Sequence, residues 1–209
     1  VKCGVDADAA MIKAFKPDFV VVATGSVPRE APIDTSALAS DIAVMHAWDV
    51  FAAPERIAPG TSVTVIGGGM VGVEVADVLR LTGCDIQVLE MQATAANGMA
   101  RNNKFELLER IAAAGVRVIT QCRIESLSER HLTVKIGQTA STQLPVGQVL
   151  IFANGPRSNI DVVTAIEQVG IPYARVGDCH APGDFLSAIR DGWMVGLGID
   201  QQPFSGRTV

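Results

Sequence analysis

Three glycines and one carboxylate carry the most specific chemistry in this sequence. Residues 63–90 read VTVIGGGMVGVEVADVLRLTGCDIQVLE, in which Gly67, Gly69 and Gly72 form G-x-G-x-x-G. A short β-branched apolar run precedes them, a run with helical spacing follows, and a second apolar run ends in Glu90. These are the parts of a βαβ unit that holds a dinucleotide pyrophosphate. Gly67 permits the tight turn out of the strand. Gly69 lets the backbone approach the phosphates with no Cβ in the way, and Gly72 lets the helix pack close to the sheet. Gly68, Met70 and Val71 bring backbone N–H groups to the helix N-terminus, where the positive end of the dipole favours an anion. Glu90 is placed to accept hydrogen bonds from the adenosine ribose. Its charge would repel a 2′-phosphate, and Met91, Gln92 and Ala93 follow it with no arginine before Arg101. NADH is therefore expected over NADPH. Two plainer readings compete: a βαβ unit whose glycines serve packing alone, and a methyltransferase-type nucleotide site.

A second constellation lies near the C-terminus, VGDCHAPGDF at 176–185, where an apolar run ends in Gly177 and Asp178 before a Gly/Pro loop and a helical stretch. Taken alone, Gly-Asp is a turn with an Asx cap. Two loops of similar build occur elsewhere. ATGSVPR (23–29), with Thr24 and Gly25, and ANGPRSN (153–159), with Asn154 and Gly155, each follow a buried-type strand and run small residue, small polar residue, Gly and then Pro-Arg.

The elements that must position these residues alternate. Strands are expected at 19–24, 62–67, 85–90, 116–120, 149–155 and 173–176. Helices are expected at 46–54, 69–81 (stopped by Gly83), 101–114 (closed by Gly115), about 160–168 and about 183–199. FVVVAT at 19–24 and VLIFANG at 149–155 read as the buried parallel type. In the 101–114 helix, Phe105, Leu108, Ile111 and Ala112 are expected on one buried face. Residues 25–45 read as a linker, and 123–148 as short antiparallel strands with polar alternation. Strand–helix alternation with right-handed crossovers implies an α/β fold: a Rossmann-like doubly wound domain with a small antiparallel β section.

Composition narrows the partners. The chain has 209 residues, 48% of them hydrophobic, with 17 basic against 22 acidic side chains and a net charge of −5. No basic run points to nucleic acid or an anionic membrane, and no apolar stretch is long enough to span one. Cys3, Cys84, Cys122 and Cys179 form no C-x-x-C pair, which leaves no redox-disulfide, zinc-ribbon or iron–sulfur motif in this segment; scattered thiols suit a cytoplasmic location. His46, His131 and His180 are isolated and read as structural. Trp48 and Trp193 read as packing residues. The chain opens at Val1 inside what reads as the interior of a domain, so it is expected to be part of a longer protein.

The order of the ATG loop, the GGGxxGxE unit, the second ATG-like loop and VGD with its final helix resembles the flavoproteins with two dinucleotide-binding domains. PDFVVVATGSVPR, HAWDVF, VTVIGGGMVGVEVADVLRLTG, VLEM and VGDCHAPGDFLSAIRDGWMVGLGI resemble the C-terminal region of the 2,4-dienoyl-CoA reductase and 2-enoate reductase group, across essentially the whole chain. The resemblance implies three segments: a partial FAD-domain segment and linker (1–40), the NAD(P)H-binding domain (41–156) and the C-terminal part of the FAD domain (157–209). It implies that Asp178, after Gly177, meets the ribityl or pyrophosphate part of FAD, that Thr24 and Gly25 lie in the loop leaving the FAD domain, and that Asn154 and Gly155 line the nicotinamide side through backbone and amide groups. Asn154 stands where the family's loop has threonine. Glu74, taken to lie on the first turn of the glycine-loop helix, would sit near the nicotinamide; otherwise it is an acid stabilised by the helix dipole.

In the longer enzyme the resemblance implies hydride transfer from NADH to FAD, then electron passage through an iron–sulfur cluster to FMN in a separate barrel, for reduction of an enoyl- or dienoyl-type C=C bond. The expected partners are NADH and the FAD- and FMN-bearing remainder. The isolated chain is expected to be inactive, with exposed apolar surface on 1–40 and 157–209 that could drive homo-oligomerisation. The alternatives are a non-catalytic Rossmann scaffold or docking subunit, and a glycine loop that takes the ADP part of FAD.

Overall fold

The structure is a computed structural model that describes residues 1–199; the end of the expected 157–209 segment lies outside the described residues. In chain order the elements are α1 (Ala9–Phe15), β1 (Val20–Val22), β2 (Ser26–Pro28), β3 (Ala43–His46), α2 (Ala47–Ala52), β4 (Ser62–Ile66), α3 (Met70–Leu79), β5 (Asp85–Leu89) and α4 (Arg101–Ala113). There follow β6 (Arg117–Ile119), β7 (Cys122–Ser128), β8 (His131–Ile136), β9 (Thr142–Pro145), β10 (Val149–Phe152), β11 (Pro156–Ser158), α5 (Asp161–Val169), β12 (Tyr173–Arg175) and α6 (Phe185–Gly198). They form two compact units, Pro28–Gly155 and, around it in sequence, Val1–Val27 with the described residues from Pro156 on.

The central unit is built on a five-stranded sheet in the order β3-β10-β4-β5-β6, with every pairing parallel. β4, β5 and β10 are buried on both sides because both faces are covered, with Thr64 and Gln87 bonded to each other as the polar exceptions. Val63, Val65, Ile86, Val88 and Ile151 pack with Val50 of α2, Val73, Ala76 and Leu79 of α3, and Leu107 and Ile111 of α4. On the other face, Leu89 packs with Leu127, Leu132 and Val134 of the antiparallel sheet β7-β8-β9. Ile66, Leu150 and Phe152 pack with Ile33, Leu38 and Ile42 from the segment before β3. The α/β architecture with its small antiparallel section is the one the sequence implies. α3 gives way to a 3₁₀ turn at Arg80–Thr82, and Gly83 stops it at φ +71°.

In the outer unit β1 and β12 pair in parallel. Val22 packs with Ile12 of α1, Ile166 of α5 and Cys179. α1 forms because Asp8 caps it, accepting the Met11 N–H at 2.8 Å. α6 buries none of its residues, and Phe185, Leu186, Ile189, Trp193, Met194 and Leu197 are exposed along it. This is the apolar surface expected of these segments. No helix among the described residues is long and apolar enough to cross a membrane.

Four local expectations are corrected. The 25–45 stretch contains β2 and β3, and its segment 28–40 belongs to the central unit. FVVVAT shortens to β1, where Val21 is 44% exposed because the pair β1-β12 is covered on one face more than the other. On α4 the core face is Leu107, Ile111 and partly Leu108, while Phe105 is 67% exposed and Ala112 is exposed too. The hydrophobic stripe keeps Leu108 and Ile111 and is turned by only about 60°, roughly a sixth of a helical turn, from the expected one. Trp48 and Trp193 are exposed at 41% and 65%, so neither packs in a core.

α3, the helix after the glycine loop, is tied to α4 by charge. Asp77 accepts Arg80 Nε at 2.6 Å and both Nε and Nη2 of Arg110, at 2.8 and 2.7 Å. The Arg110 hydrogen bond first, and that of Arg80 with it, hold the Asp77 carboxyl down at about 2 against partial burial. A depressed folded-state value gives stability that is complete above the unfolded value and lost as pH falls through the folded one. Asp77→Asn is therefore expected to cost on the order of 1 kcal/mol at pH 7, a figure reduced for solvent screening. In urea unfolding the gap to wild type should shrink steadily between pH 4 and pH 2; a gap independent of pH would contradict the assignment.

Candidate functional site

The glycine loop lies where the sheet order reverses. β4 leads to β5 and β6 on one side, and β10 returns on its other side, so the ends of β4 and β10 diverge at the crevice where α/β sheets hold ligands. Gly67 follows β4 with φ +103°, a conformation that favours glycine, and an added Cβ would stand 2.5 Å from the Ala153 carbonyl oxygen after β10. At Gly72 an added Cβ would overlap the Gly67 carbonyl oxygen. Its absence lets the first turn of α3 sit against the loop. Gly69 differs: an added Cβ would meet nothing within 4 Å. It faces open space at the N-cap of α3.

The loop presents donors. The first intrahelical bond of α3 runs from Val73 N–H to the Gly69 carbonyl at 3.2 Å. The N–H groups of Met70, Val71 and Gly72 thus have no acceptor within the helix. With Gly69 unobstructed, this is a fit for the pyrophosphate of a dinucleotide. Glu74, expected on the first turn, lies in the second turn of α3 and is exposed.

Glu90 is buried and already engaged. Its Oε2 accepts the Gly68 N–H at 2.7 Å and its Oε1 accepts the Gln92 N–H at 2.7 Å. A carboxylate has about four lone-pair sites, so capacity for ribose hydroxyls remains. An added Cβ on Gly68 would come within 2.8 Å of Glu90 Cβ. Sequence reasoning assigned Glu90 to the ligand and missed that it shapes the loop. It also missed the support from the 91–100 segment, where Ala96, at φ +53°, donates its N–H to the Gly68 carbonyl at 2.7 Å. The small-residue run ATAANG was the available signal.

Asn154 uses part of its amide within the protein. Its Nδ2 donates to the Glu30 carbonyl at 2.8 Å. The Gly155 carbonyl, after a φ of +83°, accepts the Arg29 N–H at 3.1 Å. Both contacts organise the exit from β10; the Asn154 Oδ1 and the second hydrogen of its Nδ2 stay open to a ligand.

In the outer unit, Thr24 Oγ1 donates to the Asn159 carbonyl at 2.5 Å, and the Gly25 carbonyl accepts the Asn159 N–H at 2.9 Å. Gly25, Gly177, Asp178, Gly183 and Asp184 line a cleft of about 520 Å³. Asp178 sits in a 3₁₀ turn, and its carboxylate accepts the Ser26 hydroxyl at 2.8 Å and the Gly183 N–H at 3.0 Å. Gly177, at φ +59°, donates its N–H to Asp191 at 3.2 Å. Asp184 caps α6, and the Ser187 N–H and hydroxyl hold its carboxyl below the usual range. Two carboxylates in one cleft suit a ligand that donates hydroxyl hydrogen bonds better than one that brings phosphate charge. The ribityl chain of FAD fits this; its pyrophosphate does not.

Sheet order, glycine loop and helix N-terminus together define a nucleotide-binding α/β domain of the Rossmann type. Residues 3–180 match the family described as "Pyridine nucleotide-disulphide oxidoreductase", and the chain belongs to that family. The family's domains bind FAD and NAD(P)H. The chain is 31% identical over 196 residues to bilirubin reductase of Mediterraneibacter gnavus (strain CC55_001C), covering 93% of this chain and 30% of that protein. It is 29% identical over 197 residues to NADH oxidase of Thermoanaerobacter brockii, again covering 93% and 30%. Among solved structures, histamine dehydrogenase from Rhizobium sp. 4-9 superposes with a TM-score of 0.80 at 15% identity, covering 97% of this chain and 34% of that one. A 2-naphthoyl-CoA reductase complex gives 0.77 at 21%, covering 95% and 29%. These two likenesses speak for the fold. The chain spans about a third of the length of the relatives it matches.

Gly72→Ala is expected to destabilise the protein by at least about 2 kcal/mol, the upper range for overpacking, because the helix cannot move off the loop without losing Val73 and Ala76 from the core. Urea unfolding measures this; a variant within experimental error of wild type would refute the close approach.

Proposed function

We propose that the chain is the NADH-binding module of a flavin-dependent oxidoreductase, with the outer unit contributing part of an FAD site. The observation that carries this reading is the glycine loop at the sheet's reversal point, with Gly69 open to ligand beside three N–H groups free of helix bonds. Gly68, Gly69, Met70, Val71 and Gly72 would hold the pyrophosphate, and the remaining lone pairs of Glu90 would accept the ribose hydroxyls. Glu90 in addition keeps Gly68 in place through its N–H. The name of one relative, an NADH oxidase, agrees with NADH as the dinucleotide.

When both cofactors are bound, the dinucleotide supplies a hydride and the flavin accepts it. The residues of this chain bind and orient. Ser26 and the Gly183 N–H hold the Asp178 carboxylate at the cleft. Asp178 would accept ribityl hydroxyls, and the α6 N-terminus capped by Asp184 would border the same group. We place the longer protein in the 2,4-dienoyl-CoA reductase and 2-enoate reductase group, acting on an enoyl-type C=C bond, with an iron–sulfur cluster and FMN in its remainder. Support comes from the motifs shared with that group, from the partial coverage of longer relatives, and from a neighbour whose name is that of an acyl-CoA reductase.

Calorimetric titration of the purified protein with NADH tests the central claim. Saturable binding is expected. Gly69→Ala should leave stability within about 0.5 kcal/mol but weaken NADH by more than about tenfold, since the new methyl keeps the backbone donors from the phosphates. A folded protein that binds no dinucleotide would point instead to a non-catalytic scaffold.

A further inference from the structure

Across the antiparallel sheet, Arg123 of β7 stands directly opposite Lys135 of β8. Like charges at directly opposed positions repel. Among the described residues neither side chain has an ion-pair or hydrogen-bond partner. Both line a hollow of about 470 Å³ with Met91, Gln121, Glu125 and Gln138. The one carboxylate there, Glu125, is tethered by the Ser141 hydroxyl at 2.6 Å. The hollow thus has two cations to one anion.

Its place in the fold matters as much as its charge. The root of β7 is fastened to the residues on either side of Met91: Cys122 N–H donates to the Glu90 carbonyl and Gln121 N–H to the Gln92 carbonyl, each at 2.8 Å. Gln121 takes a left-handed conformation, φ +52°, to do so. The cationic pair is therefore held next to the strand end that carries Glu90. The sequence shows no arginine shortly after Glu90; the fold supplies cations from more than thirty residues further on.

We propose that this hollow is a phosphate subsite for the 2′-phosphate of NADPH, so that the domain accepts NADPH beside NADH. The inference rests on the dinucleotide reading above and broadens its choice of cofactor. The guanidinium of Arg123 offers a forked pair of donors to a phosphate and Lys135 a point charge. The negative charge of Glu90 is offset by the two backbone N–H groups it accepts.

The test titrates the wild-type protein and the double variant Arg123→Gln/Lys135→Gln with NADH and with NADPH at low and at moderate salt. The wild type should bind both, and NADPH affinity should be the more salt-dependent. In the double variant, NADPH should weaken by at least about tenfold while NADH stays within about twofold. NADH binding doubles as the check that the variant is folded. Equal losses for both dinucleotides, or no loss for either, would overturn the subsite. A wild type that binds NADH but not NADPH would overturn it too while leaving the module reading intact. A wild type that binds neither would overturn both.

Discussion

The central unit depends on one close approach: the start of α3 against the carbonyl of Gly67. Any side chain at Gly72 would occupy the place of that oxygen. Because none is there, α3 lies low enough for Val73, Ala76 and Leu79 to join Val63, Val65 and Val88 in the core. The same contact aims the free N–H groups of the first turn at the crevice between the ends of β4 and β10. Packing and ligand geometry are thus set by one constraint, and the Asp77 clamp to α4 holds the helix in that position from its far side.

The four loop glycines do different work. Gly67 needs its backbone conformation, and Gly68 and Gly72 need room against Glu90 and Gly67. Gly69 needs neither, since a side chain there would meet no protein atom. Its openness is the mark of a position kept clear for something other than the fold. Glu90 links the two classes: buried, it shapes the loop through Gly68 and keeps lone pairs that the loop does not use.

The outer unit shows the opposite balance. Its sheet has two strands, and α6 carries a row of exposed apolar side chains. Yet its polar details are well formed: Asp184 caps α6 with a reciprocal Ser187 bond, and Asp178 is held by Ser26 and Gly183. A well-ordered acidic cleft on a sparse hydrophobic base suits a unit whose role is to present groups to a ligand.

Much of this was legible in the sequence. Local rules wrote the glycine loop, the β-branched strands, the stop at Gly83 and the helical run of α6, because each depends on residues within a turn of one another. The sequence alone could not place residues whose partners are distant in the chain. β3 reads as linker because an edge strand buries only Met45. The α4 stripe was misjudged because which of Phe105 and Leu107 faces inward is decided by the sheet and by α3, not by helical spacing. The amide of Asn154 turns to Glu30 and the carboxylate of Glu90 to Gly68 because the fold brings those backbone groups within reach. Only tertiary structure could bring Arg123 and Lys135 beside Met91, since strand pairing joins positions that sequence distance keeps apart.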